Sequence, residues 1–150
     1  MDDTATPHTA QPAGDELGTA IRGAVGRLYR RFRAERADGQ LGDAAMGVLT
    51  RLEKNGPQTL KALSDYDRVT PASMSQIVNR LTAAGYATRN DDPDDGRRVL
   101  FAATPEGAEL VNADRARRQA WLDSHLAELS ADDRAALARA AALLQQIADS

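Results

Sequence analysis

The chain has 150 residues, a formal net charge of −3 and no cysteine. That length is a prior for one domain with a sizeable core, and the missing thiols exclude disulfides, thiolate metal sites and thiol-based redox sensing. Apolar content of 42% and charged content of 27% are those of an ordinary soluble protein, no run approaches the roughly 18 apolar residues of a membrane span, and mild acidity argues against a protein that coats nucleic acid indiscriminately.

Residues 1–14 read as a disordered Thr/Pro/Ala/Gly tail, too polar for a signal peptide. From Asp15 to about Ala37, Leu17, Ile21, Val25, Leu28 and Phe32 recur at helical spacing, opposite a basic face. Ala37-Asp38-Gly39 ends this first helix. A second, about Asp43 to Lys54, carries Met46, Leu49 and Leu52 and is stopped by Asn55-Gly56-Pro57. Thr59 caps a short helix, Leu60 to Tyr66, and Asp67-Arg68-Val69 is a turn. Thr70 caps the next helix, with Pro71 at its first position; it runs to about Ala84, and Gly85 closes it. Tyr86 to Arg89 and Arg98 to Ala103 read as two strands of a hairpin. Thr104-Pro105 opens a long helix to about Leu129, and Ser130 with Asp133 opens the last one, Ala131 to Ala148.

The expected fold is therefore mainly α with a small β-wing. A winged helix-turn-helix occupies about 41–104 of a single domain, 15–150, flanked by helices at about 15–37 and 105–148. The second helix of the motif places Met74, Ile77, Val78 and Leu81 on one apolar stripe. Its opposite arc carries Ala72, Ser75, Gln76, Asn79 and Ala83, flanked by Ser73 and Arg80, with no acidic member. Amides pair bidentately with adenine, hydroxyls with either kind of base, and arginine with guanine or phosphate. An isolated helix of this kind is usually just a solvated face; the adjoining turn and hairpin shift the reading to the major groove of double-stranded DNA.

The hairpin tip, Asp92-Pro93-Asp94-Asp95-Gly96-Arg97-Arg98, mixes repelling carboxylates with Arg89, Arg97 and Arg98, which attract phosphate. Asp95 is expected to orient the Arg97 guanidinium toward DNA; a solvated charged turn is the plainer alternative. Thr59 and Lys61 stand at a helix start suited to a phosphate, and Thr70 stands at another. A simple cap and a solvated lysine explain the first pair equally well. The acidic excess lies elsewhere: residues 105–150 hold five basic and eight acidic groups, whereas 57–104 hold six of each.

The terminal helices carry Leu110, Val111, Trp121, Leu122, Leu126, Leu129, Leu137, Leu143, Leu144 and Ile147. Apolar rows on terminal helices need a partner. A second copy in an isologous two-fold interface supplies one, and packing against the first helix is the alternative. Leu17, Ile21, Leu110, Trp121, Leu122, Leu126, Leu137, Leu144 and Ile147 are the expected dimer contacts. A two-fold dimer implies a near-palindromic operator with half-sites about one helical turn apart.

These residues resemble the MarR (multiple antibiotic resistance regulator) family of transcription factors. The likeness is carried by Thr70 through Leu81, Ala84-Gly85-Tyr86, Asp92-Pro93-Asp94-Asp95-Gly96-Arg97 and Thr104-Pro105-Glu106-Gly107. It spans residues 15–150, and the later part looks actinobacterial. The resemblance implies an obligate, triangular homodimer in the cytoplasm that represses a nearby promoter. It also implies release from DNA by a small anionic or aromatic effector bound between the dimer layer and the reading head. Tyr29, Phe32, Met46 and Trp121 are pocket candidates, which core packing explains as well. Ala103 departs from the family, which favours a larger aliphatic there, and the wing is unusually acidic. No cofactor or metal is implied: His8 and His125 are the two histidines, and no nucleophile or phosphate-loop motif suggests an enzyme. A winged helix that binds protein instead of DNA is the remaining alternative, favoured by the acidic wing.

Overall fold

The computed structural model describes residues 14–35 and 41–150. Its elements are α1 (Gly14–Ala34), α2 (Asp43–Asn55), β1 (Gln58–Thr59), α3 (Leu60–Asp67), α4 (Pro71–Ala83), β2 (Ala87–Asp91), β3 (Val99–Ala103), α5 (Pro105–Ala127) and α6 (Ala131–Ala148). They fall into two compact units, Met1–Glu35 and Arg36–Ser150. The expected stop at Ala37-Asp38-Gly39 lies outside the described residues, as do residues 1–13 of the expected tail with His8, while Gly14, expected in that tail, is the first residue of α1.

In the first unit, α1 places Asp15 and Glu16 in its first turn and Arg31 and Arg33 in its last. Those signs oppose the helix dipole at each end. No residue of α1 is buried, and Leu17, Val25, Leu28 and Tyr29 are exposed.

The second unit is built around one core. Met46, Val48, Leu49 and Leu52 of α2 meet Leu63 of α3, Met74, Val78 and Leu81 of α4, Ala87 and Phe101 of the sheet, and Val111 of α5. Ile77, expected on the α4 stripe, packs half-buried against the same cluster. The helix boundaries follow local chemistry. Thr59, Thr70, Thr104 and Ser130 each accept a backbone N–H from the first turn they cap, and Pro71 and Pro105 follow two of them. Gly56 ends α2 at φ +78, donating its N–H to the Leu52 carbonyl.

The wing differs from the two-strand hairpin expected. Its sheet has three strands in the order β1-β3-β2, all antiparallel. Gln58 and Thr59 pair with Phe101 and Leu100, so the residue that caps α3 also closes the sheet edge. On the other side of β3, β2 runs from Ala87 opposite Ala103 to Asp91 opposite Val99, two residues beyond the expected end at Arg89.

The start of α5 lies hard against the backbone after α4. Gly85, at φ +79, turns the chain. Its carbonyl accepts the Thr104 hydroxyl at 2.7 Å, and the Tyr86 carbonyl accepts the Thr104 N–H at 3.0 Å. A Cβ on Gly107 would sit 2.2 Å from the Tyr86 oxygen and 3.0 Å from a Leu49 methyl. The Thr-Pro-x-Gly sequence thus works as a joint: threonine ties the wing root to α5, and glycine permits the approach.

Two long-range arginine contacts brace α2. Arg51 donates to Asp67 at 2.7 Å, and its guanidinium lies 3.4 Å from the centre of the Tyr66 ring. Together they pin the end of α3. Arg115 of α5 reaches Glu53 at 3.3 Å.

α6 is unlike the other helices of this unit. None of its residues is buried. Leu137, Leu143 and Ile147 are 48%, 59% and 66% exposed, which leaves an apolar row in water.

Candidate nucleic-acid interface

On α4 the division between faces is clean. Met74, Val78 and Leu81 have no exposed surface, while Ala72, Ser73, Gln76, Asn79, Arg80 and Ala83 are exposed. Ser75, expected on the same arc, sits half-buried at its shoulder. Thr70 accepts the Ser73 N–H at 3.2 Å and donates its own hydroxyl to the Ser73 oxygen at 3.0 Å, so the start of the helix is held before any ligand arrives. The outward face offers amide, hydroxyl and guanidinium groups with no carboxylate among them, which is the donor and acceptor set that reads base edges.

At the start of α3, Thr59 accepts the Ala62 N–H at 3.1 Å. Lys61 lies 2.5 Å from Asp65 one turn on, and both are well exposed. Such a pair is worth little in water, so the ammonium exchanges Asp65 for another anion at small cost. Thr59, Leu60, Lys61, Arg98 and Val99 line an open cavity of about 440 Å³. It brings three of the singled-out residues together, one helix start and one wing arginine on a common wall.

The wing tip is organised differently from the expectation. Asp95 does not hold the Arg97 guanidinium; its carboxylate accepts the Arg97 backbone N–H at 3.1 Å, and its carbonyl accepts the Arg98 N–H at 2.9 Å. The ion pair of the tip joins Arg98 to Asp92 at 3.4 Å. Asp92 is 8% exposed and also accepts the Asp94 N–H. The physical reason is local: short Asp side chains reach backbone N–H groups two residues on more readily than a distant guanidinium. Two aspartates therefore build the turn, one arginine is tied down, and Arg97 is left exposed without an ion-pair partner among the described residues. Arg89 is likewise exposed, on β2.

Sequence reasoning missed Arg51. Its partner Asp67 lies 16 residues away, and no local pattern announces such a contact. Of the expected dimer residues, Ile21, Leu110, Trp121, Leu122, Leu126 and Leu144 are half-buried, while Leu17, Leu137 and Ile147 are exposed. Leu110 packs against the core of its own chain, and Met46, a pocket candidate, is a core residue at 1% exposure. His125 is exposed beside Ser124 and stacks on Trp121 with ring centres 4.4 Å apart. Among the described residues no group of three metal-ligating side chains forms, and no helix is long and apolar enough to cross a membrane.

Residues 40–98 match the model of the MarR family. An HTH-type transcriptional regulator of Mycobacterium leprae is 37% identical over 133 residues, 89% of this chain and 93% of the relative. The HTH-type transcriptional repressor NicR of Pseudomonas putida is 29% identical over 106 residues, 71% of this chain and 67% of NicR. Among solved structures, BpsR of Bordetella bronchiseptica superposes with a TM-score of 0.64 at 25% identity, covering 97% of this chain and 99% of that one. That structure concerns the regulation of BpsR's DNA binding by 6-hydroxynicotinic acid.

Proposed function

The chain belongs to the MarR family of DNA-binding transcription regulators, and on that premise we propose that it represses transcription as a homodimer on a near-palindromic operator. It is a regulator and not an enzyme, as its relatives are. The observation that carries the DNA-reading part is the division of α4: an apolar stripe whose Met74, Val78 and Leu81 are fully buried, behind an exposed face of Ser73, Gln76, Asn79 and Arg80.

In this reading α4 lies in the major groove. Gln76 and Asn79 read bases, Ser73 and Arg80 reach the groove edges, and Ser75 stands at the margin. Thr59, Lys61 and Thr70 meet phosphates from two helix starts. Arg97 extends from the wing to the neighbouring backbone with Arg89 and Arg98 behind it, and Asp95 shapes the turn that presents it. Residues 15–150 act as one domain, with the reading head at about 41–104 and dimer helices at about 15–37 and 105–148. The apolar row of α6 supports the dimer. Burying one leucine contributes about 1.5–3 kcal/mol, so a surface of this kind favours a partner.

NicR, a repressor, and BpsR, whose DNA binding is regulated by 6-hydroxynicotinic acid, support a reading of repression and release by a small aromatic or anionic compound. The regulator works in the cytoplasm, where its DNA is. The test is titration of Gln76→Ala and Arg97→Ala against duplex from upstream of its own gene and a scrambled duplex. Arg97→Ala weakens both; Gln76→Ala weakens the first and narrows the difference between them. Equal losses for Gln76→Ala on both duplexes refute base reading. No affinity for either duplex at low salt favours a protein-binding winged helix.

A further inference from the structure

We infer that Arg68, in the turn between α3 and α4, binds a DNA phosphate, and that Arg51 is the residue that positions it. The inference rests on the DNA-binding reading above and adds a contact outside the reading helix, the helix starts and the wing.

Arg68 caps α3 in the left-handed conformation, φ +53 and ψ +42, and is the one non-glycine residue with positive φ among the described residues. Glycine is the residue that occupies such a cap without steric penalty. An arginine there works against the fold's own preference, and an outlier of this kind points to function. The turn is firmly made, with the Val69 N–H donating to the Ser64 carbonyl at 3.1 Å.

The charges around it are arranged to leave Arg68 available. The carboxylate next to it in sequence, Asp67, is already engaged by another cation, Arg51, at 2.7 Å. Arg68 itself is exposed and has no ion pair among the described residues. Arg51 does more than neutralise Asp67. Its side chain is 11% exposed, and its guanidinium stacks on Tyr66, so it fixes both residues that precede Arg68.

Position supplies the ligand. In a helix-turn-helix the first helix crosses the DNA backbone, and the second enters the groove by its N-terminal end. The link between them runs along the phosphates. A guanidinium two residues before the Thr70 cap suits a phosphate oxygen pair bidentately.

The experiment uses fluorescence anisotropy with the full chain and a mixed-sequence duplex across a salt series, beside thermal melting. Arg68→Gly removes the cation while keeping the left-handed turn, and Arg68→Lys keeps a cation there. The inference expects Arg68→Gly to melt no lower than wild type, to bind roughly ten-fold more weakly per protomer, and to lose about 0.9 from the log–log salt slope for each contact removed. Arg68→Lys retains the slope. Arg51→Met, with its charge and stack gone, shows the same loss of slope with Arg68 intact. Should Arg68→Gly melt early, Arg68→Asn, which also tolerates this conformation, is read in its place. Wild-type affinity and slope in Arg68→Gly or Arg68→Asn overturn the inference and leave the DNA-binding reading standing. No binding by the wild-type chain at low salt overturns that reading as well.

Discussion

Helices α4 and α6 come from one chain and have opposite fates. The two are similarly apolar in part, yet α4 buries Met74, Val78 and Leu81 completely, and α6 has no buried residue, Leu144 being half-buried. One chain is sufficient to finish the reading head: its apolar face is covered, its caps are made, and the face left outside is polar. The same chain leaves α6 with Leu137, Leu143 and Ile147 in water. The lesson is that exposure has a different meaning in the two places. Polar exposure on α4 is a surface prepared for a hydrated, charged ligand. Apolar exposure on α6 is, in the proposed dimer, the surface that a second copy covers.

The contrast is sharpest when one leucine is truncated in each helix. Leu81→Ala opens a cavity in a closed core and is expected to cost about 2–5 kcal/mol. Leu143→Ala is expected to change the stability of the isolated chain by no more than about 0.5 kcal/mol while weakening self-association. Urea denaturation and sedimentation equilibrium read the two effects. A large fall in the chain's own stability for Leu143→Ala, with association unchanged, would break the comparison.

A smaller effect is expected at the joint that connects the two regions. Gly107→Ala puts a methyl where the Tyr86 carbonyl already stands, and overpacking of this kind costs roughly 1–3 kcal/mol. Because the obstacle is backbone, the strain falls on the wing root and the start of α5 together. A melting temperature equal to wild type would mean that the joint yields freely.

The smallest effect belongs to the start of the reading helix. Thr70→Ala removes the cap on Ser73 and is expected to cost about 1 kcal/mol, whereas Thr70→Gly costs only a few tenths. Equal losses in the two would assign the threonine a role other than capping.

What was legible in the sequence follows the range of the forces involved. The starts of α3, α4, α5 and α6 were readable because a cap is settled within three residues: Thr59, Thr70, Thr104 and Ser130 do in space what their neighbours suggest. The core stripe of α4 was readable because period alone fixes its face. Strand β1 was not, since Gln58 and Thr59 become a strand only through Leu100 and Phe101, about 40 residues on. The wing charges misled for a related reason. Asp92 and Asp95 compete for several N–H and guanidinium groups, and turn geometry, not charge spacing, picked the partners. The Arg51 clamp and the close approach at Gly107 likewise depend on packing between distant segments.

The most direct test of the account is a hydroxyl-radical footprint of the wild-type protein on the DNA upstream of its own gene. A two-fold pair of reading heads predicts two protected patches related by near-palindromic sequence, about one helical turn, or roughly 10 bp, apart. A single protected patch on a site without two-fold symmetry would contradict it.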